Sequence, residues 1–102
     1  MNTIEKLKNL SIHDSPVYNL DFNFGESKIK LIYGTRGKIR SLTFQNVEAI
    51  NIQDSAGFVL TEVYRLNCTQ KDDLYEIELV FVTEISMASW RLSFLCKEVL
   101  IG

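Results

Sequence analysis

From Val17 onward, apolar and polar residues alternate along most of the chain with a period of two. Tyr18, Leu20, Phe22 and Phe24 interleave with Val17, Asn19, Asp21 and Asn23, the pattern of a strand with one face buried. Gly25-Glu26 permits a turn, after which Ile29, Leu31 and Tyr33 oppose Lys28 and Lys30. The run Gly34-Thr35-Arg36-Gly37 then places two glycines in a short connection between alternating segments, which predicts a hairpin. Residues 38–44 return with Leu42 and Phe44 on one face. Ile50 and Ile52 suggest a short strand ended by Asp54-Ser55-Ala56-Gly57.

Two longer strands are predicted next. In residues 58–68 the face Phe58, Leu60, Tyr64, Leu66 and Cys68 is apolar, interrupted by Glu62. In residues 74–82 Tyr75, Ile77, Leu79 and Phe81 oppose Glu76 and Glu78, with Lys71-Asp72-Asp73 turning between the two strands. Trp90, Leu92, Phe94 and Cys96 alternate with Arg91 and Ser93, and Val99 and Ile101 suggest a last short strand. Residues 85–89 follow no period. Before Val17 the spacing is helical: Ile4, Leu7 and Leu10 share a side, and Asn2 with Glu5 forms a capping box. Pro16 disfavours a helical Ser15 and ends that segment. Seven or eight strands joined mostly by short turns leave no room for the crossover helices of a parallel sheet. The expectation is a mainly β protein: an antiparallel sandwich or a curled half-barrel with a short N-terminal helix.

The 102 residues suit one domain, residues 1–102, with one core. A composition 46% hydrophobic and 11% aromatic is that of a chain able to bury a core, not of a disordered one. The longest aliphatic and aromatic run, Leu79-Val80-Phe81-Val82, is far short of the roughly 20 residues of a spanning helix. Glu5, Lys6 and Lys8 stand where a secretion signal would place apolar residues. Cys68 and Cys96 lack the spacing of a metal or redox motif, so two reduced, partly buried thiols and a cytoplasmic location are expected.

The net charge of −2 hides an uneven distribution. Lys28, Lys30, Arg36, Lys38 and Arg40 stand against Glu26 alone in residues 26–40, whereas residues 48–98 are predominantly acidic, with Glu76 and Glu78 on one strand face. A basic hairpin could meet phosphates, but Tyr33 alternates with Ile29 and Leu31 as a core residue rather than a stacking platform. Lysines also guard strand edges. An edge guard or plain solvated face is therefore the first reading of these cations, a protein partner the second and nucleic acid the last.

Catalytic and metal chemistry find little support. His13, Asp14 and Ser15 are a histidine, an acid and a hydroxyl in succession, but consecutive residues of extended chain point opposite ways and do not converge as a triad must. Their expected role is structural, with His13 anchoring a turn in which Asp14 or Ser15 bonds the local backbone. One histidine and two distant cysteines do not make a zinc site, Asp72-Asp73 lacks the ligand pattern of a calcium loop, and no glycine-rich phosphate loop precedes a helix. No cofactor is expected, and no enzyme.

The order of parts, "IHDSPVYNLDF", a basic hairpin, "LTFQNVEAINI" and a closing "WRLSFLC", resembles small bacterial β proteins that open with a histidine-aspartate-serine turn feeding the first strand. Some of these are classed as immunity proteins of polymorphic toxin systems. The resemblance spans most of the chain as a pattern, is sharp only at residues 13–15, and carries no catalytic residue. It implies a cytoplasmic bacterial binding protein. The leading expectation is a non-catalytic protein-interaction module, one form of which is an immunity-type protein masking a partner's functional surface. Its candidate binding residues are Lys28, Lys30, Arg36, Lys38, Arg40, Glu76 and Glu78. The alternative is a small-molecule-binding β domain with a pocket lined by Tyr18, Phe22, Trp90 and Phe94.

Overall fold

The period-two pattern becomes eight strands and one helix in a computed structural model, which describes residues 2–54, 62–82 and 89–102. Helix α1 (Thr3–Lys8) begins where the Asn2 side chain accepts a hydrogen bond from the Glu5 amide. Leu7 is its buried residue, with Ile4 and Leu10 packed against the same core. A helix of six residues is too short to persist alone, so this apolar stripe holds it. The strands are β1 (Ser15–Asn23), β2 (Lys28–Thr35), β3 (Lys38–Gln45), β4 (Glu48–Asp54), β5 (Glu62–Lys71), β6 (Leu74–Val82), β7 (Ser89–Cys96) and β8 (Glu98–Ile101).

All eight are antiparallel members of one open sheet, in the order β4-β7-β6-β5-β1-β2-β3-β8. The sheet folds over on itself, because the chain leaves it no alternative. Strands β7 and β8 stand six places apart in that order, roughly 29 Å in a flat sheet at about 4.8 Å per strand. Lys97 alone separates Cys96 from Glu98 in sequence, a path of under about 8 Å. The same holds for β3 and β4, which only Asn46 and Val47 separate. The two corners coincide. Gln45 pairs with Glu98 and Glu48 with Leu95, so register is kept while both chains turn from one half of the sheet into the other. Left-handed φ values at Asn46 and Ala49, both 55°, make the bend.

Folding over puts the apolar faces of the two halves together. Leu31, Leu42 and Phe44 from one half and Ile77, Leu79, Phe81 and Leu92 from the other have no exposed surface. Phe44 meets Phe94 edge-on with ring centroids 4.9 Å apart, and Phe81 stacks on Trp90 at 4.6 Å. Buried residues of both halves belong to one cluster.

Four sequence expectations are corrected. A β-bulge between Val17 and Asn19 gives the strand one extra residue, so Val17, Leu20 and Phe22 face inward while Tyr18 is turned out and 59% exposed; a one-residue slip exchanges the faces of a strand. A second bulge between Val63 and Arg65 does the same to Tyr64 and buries Val63 in its place. Phe24 lies in the turn after β1, largely exposed and stacked on Phe22. The β2–β3 hairpin is tighter than its glycines suggest: Thr35 pairs with Lys38 across Arg36 and Gly37 only, both at positive φ, and Gly34 belongs to β2. Expectations for residues 55–61 and 83–88, including the apolar positions Phe58 and Leu60 and most of the aperiodic segment 85–89, lie outside the described residues.

Cys68 on β5 and Cys96 on β7 are buried free thiols with β6 between them. Two strand spacings, about 9.5 Å, exceed the roughly 7 Å over which a disulfide can form. Burial pushes the Cys96 thiol up to about 12, and the proximity of Cys68 adds to the shift. A folded pKa above the ordinary thiol value of 9.0 stabilises the fold below that value and loses its contribution as pH rises toward 12. The urea midpoint should therefore fall between about pH 9 and 12, and the fall should be smaller in Cys96→Ala; equal slopes would remove the thiol as its cause. Phe94→Ala should cost about 3–5 kcal/mol. A double-mutant cycle with Phe44→Ala should show the contact between the halves as a coupling of about 0.5–1.5 kcal/mol.

Candidate functional site

At the β2–β3 hairpin, exposed apolar side chains lie beside cations. Gly34 in β2 faces Ile39 in β3, and the expelled Tyr18 ring lies against the glycine. A Cβ at Gly34 would meet Tyr18 Oη at 2.6 Å and Cε2 at 2.8 Å, so the missing side chain is what lets the ring rest on the β2 backbone. Tyr18 and Ile39, 59% and 75% exposed, then form a shelf with Pro16 behind it. Arg36 and Lys38 stand at the tip of the hairpin, and the lining of this open concavity of about 300 Å³ contains no carboxylate. Gly37, at φ 74°, makes the two-residue turn that brings the cations there.

The predicted basic cluster does not stay together. Lys28 and Lys30 sit at the opposite end of β2 from Arg36, roughly 20–27 Å away at about 3.4 Å per residue. There Lys28 pairs with Glu26 at 3.2 Å, and Lys30 stands between Asp21 and Thr43 on the neighbouring strands. Arg40 faces Tyr33 in the β2–β3 register rather than joining the shelf. Burial raises the Tyr33 phenol above its ordinary pKa and Arg40 opposes that rise, so the hydroxyl remains a donor at neutral pH. Glu76 and Glu78 do lie together on the outer face of β6, but among compensating groups: Glu76 pairs with Lys71 at 3.8 Å, Glu78 with Arg65 at 3.9 Å, and Asn67 donates to Glu78 at 3.2 Å. These two carboxylates are thus partly compensated by cations on their own face.

His13, Asp14 and Ser15 form the turn that enters β1. Asp14, at φ 62°, donates its amide to the Val63 carbonyl at 2.8 Å, and His13 Nδ1 donates to the Tyr64 carbonyl while its ring tilts against that of Tyr64. His13 Nε2 lies 3.3 Å from the Asp14 carboxylate. Ser15 is buried, and its hydroxyl donates to the Ser11 carbonyl. The serine therefore bonds backbone and not the imidazole, and the turn clips β1 to β5 at a junction where, among the described residues, Ser15 and Pro16 pair with Val63 and Glu62. It builds no nucleophile. Among the described residues, no three His, Cys, Asp or Glu side chains are grouped to hold a metal ion.

The aromatic residues expected to line one pocket are dispersed. Trp90 and Phe94 are core, Phe22 is half-buried at the edge of the core cluster and stacked on Phe24, and Tyr18 lies outside on the shelf. Neither Tyr18 nor Ile39 belongs to the charged set that the sequence offers for protein binding. Ile39 is legible, since it has the parity of Ser41 and Thr43 and not of Leu42 and Phe44. The exposure of Tyr18 is not, because it depends on a bulge that alternation cannot register.

If the turn clips β1 to β5, His13→Ala should lower unfolding stability by about 0.5–1.5 kcal/mol, and amide exchange at Asp14 and Val63 should accelerate before that of Leu79 or Leu92. Uniform acceleration across both halves would contradict a local role. No protein-family model matches the sequence and no curated protein matches it.

Proposed function

We propose that this chain is a non-catalytic protein-interaction module that engages an acidic, partly apolar protein surface through the Tyr18–Ile39 shelf. The observation that carries this reading is the shelf itself: two large apolar side chains held out of the core, one of them seated on a glycine, beside two cations with no carboxylate in the lining. Tyrosine and arginine are the side chains that interface centres favour, because they combine contact area with hydrogen bonding at low entropic cost. The cations at the rim would steer an acidic partner and set the salt dependence of its association. Glu76 and Glu78 offer a weaker surface, since their charges are already engaged.

An immunity-type protein, which masks a partner's functional surface, is the biological form of this reading that the resemblance around His13-Asp14-Ser15 favours, and a cytoplasmic setting belongs with it. A small-molecule function draws less support, because the four aromatic residues that suggested it do not share a cavity.

The test uses a photo-crosslinker at position 39 to capture and identify the partner in the source cell, followed by affinity measurements with the purified partner. Tyr18→Ala and Ile39→Asp should each weaken binding by about 10-fold or more, and binding should weaken as salt rises. Gly34→Ala should also weaken it, because the new methyl displaces the Tyr18 ring, yet leave stability within about 0.5 kcal/mol, the moved group being the free end of an exposed side chain. The reading fails if Glu76→Gln with Glu78→Gln abolishes binding while the shelf variants bind normally. Failure of all five substitutions to change affinity would also reject it.

A further inference from the structure

Behind the hairpin, on the side away from the shelf, lies a smaller recess of about 130 Å³ between the end of α1 and strands β2 and β3. It is well below the roughly 300–1,000 Å³ of sites for drug-sized ligands, and large enough for a few waters or one small ion. Tyr33, Ser11, Thr35, Arg36 and Arg40 line it, and no carboxylate does.

Two features distinguish this recess from an ordinary surface dent. Tyr33 is 1% exposed, and its buried hydroxyl has no hydrogen-bond partner, an arrangement that costs free energy unless something occupies the recess. Arg40, directly opposite in the strand register, acts electrostatically on that phenol. The remaining polar groups are oriented as donors. Arg36 donates to Ser11 Oγ at 3.1 Å, which leaves the Ser11 hydroxyl proton free to be given elsewhere. The Ser11 carbonyl, the acceptor that would repel an anion, is already occupied by the Thr35 and Ser15 hydroxyls at 3.0 and 3.2 Å.

The geometry points to a binding site for a small oxyanion, a phosphate or a carboxylate, held by the Arg40 and Arg36 guanidiniums with the Tyr33 and Ser11 hydroxyls. Planar guanidiniums bind both groups through paired charge-assisted hydrogen bonds, and an anion oxygen supplies the acceptor that Tyr33 lacks. The site shares Arg36 with the rim of the shelf but not the shelf's apolar surface. It lies on the other side of the hairpin, uses Tyr33 and Arg40 where the shelf uses Tyr18 and Ile39, and requires no protein partner.

The experiment titrates the isotope-labelled protein with inorganic phosphate and, separately, with acetate, each at ionic strength held constant with sodium chloride. Saturable amide shifts confined to residues 9–11 and 33–40 should appear with at least one of the two. Phosphate alone would assign a phosphoryl ligand, acetate alone a carboxylate. Arg40→Gln should weaken that binding about 10-fold. Tyr33→Phe serves as a second variant: in anion-free buffer it should melt at or above the wild-type temperature, since it removes an unpartnered polar group, and it should lose most of the anion-dependent rise in melting temperature. The inference is overturned if neither anion produces saturable shifts. It is equally overturned if the shifts spread to Lys28 and Lys30, or if both variants bind as the wild type does.

Discussion

One residue, Lys97, stands between two strands that a flat sheet would hold roughly 29 Å apart, and two residues do the same for β3 and β4. This chain-length constraint decides the architecture, because the sheet can satisfy it only by folding its two halves face to face. The matched register on either side of the bend means that β3–β4 and β7–β8 act as a pair of long strands turning one corner together. The Lys97 amide donates to the Gln45 carbonyl there, and the Val47 amide to Ser27, so the bend keeps its backbone hydrogen bonds and avoids the penalty of buried, unpaired amides. Packing of Phe44 on Phe94 and of Phe81 on Trp90 then supplies the apolar burial that offsets the entropy of holding this shape.

Much of this is legible in the sequence. Trp90, Leu92, Phe94 and Cys96 alternate without interruption, and all four are buried on one face of β7. Tyr75, Ile77, Leu79 and Phe81 likewise take the inner face of β6 that their alternation predicts. The residues whose faces differ from expectation share a cause. Tyr18 and Tyr64 each sit at a bulge, where one inserted residue reverses the parity of the strand beyond it while composition and hydrophobicity stay the same. A pattern rule has no term for that, because the bulge is set by where two strands must meet and not by either strand alone. Which residues combine to make a site is harder still to read. Lys28 and Arg36 lie eight positions apart in a basic run, but an extended strand carries them to opposite ends of the hairpin.

The charge distribution shows the same separation between sequence and surface. Clusters in sequence become clusters in space only on a helix or a tight turn, where neighbours three or four apart share a face. On a strand, like charges are spread and each meets whatever the adjacent strands present. Glu78 meets Arg65 and Asn67, and Glu76 meets Lys71, so these two carboxylates end on a face that screens them. Exposed pairs of this kind contribute little to stability. Their consequence is for recognition: they leave Arg36, Lys38 and Arg40 at the hairpin as cations without a carboxylate beside them in either concavity.

The exposed surface at the hairpin follows from how the sheet closes. Among the described residues, strands β1 and β5 meet over two residue pairs, and each carries its bulge within three residues of that junction. A bulge increases local twist and bends its strand, which is what two sheet halves need in order to meet at an angle. The same insertion must also eject a side chain, and on β1 the ejected residue is Tyr18. Once outside, that ring needs a floor, and Gly34 on the neighbouring strand provides it at a position where a Cβ would collide. The exposed aromatic shelf is therefore coupled to closure of the fold. A substitution that straightened the β1 bulge would return Tyr18 toward the core, displace Val17, and alter the binding surface and the seam together. This coupling also places the shelf beside the His13 clip, so that the seam between the two halves of the sheet adjoins the surface proposed for recognition.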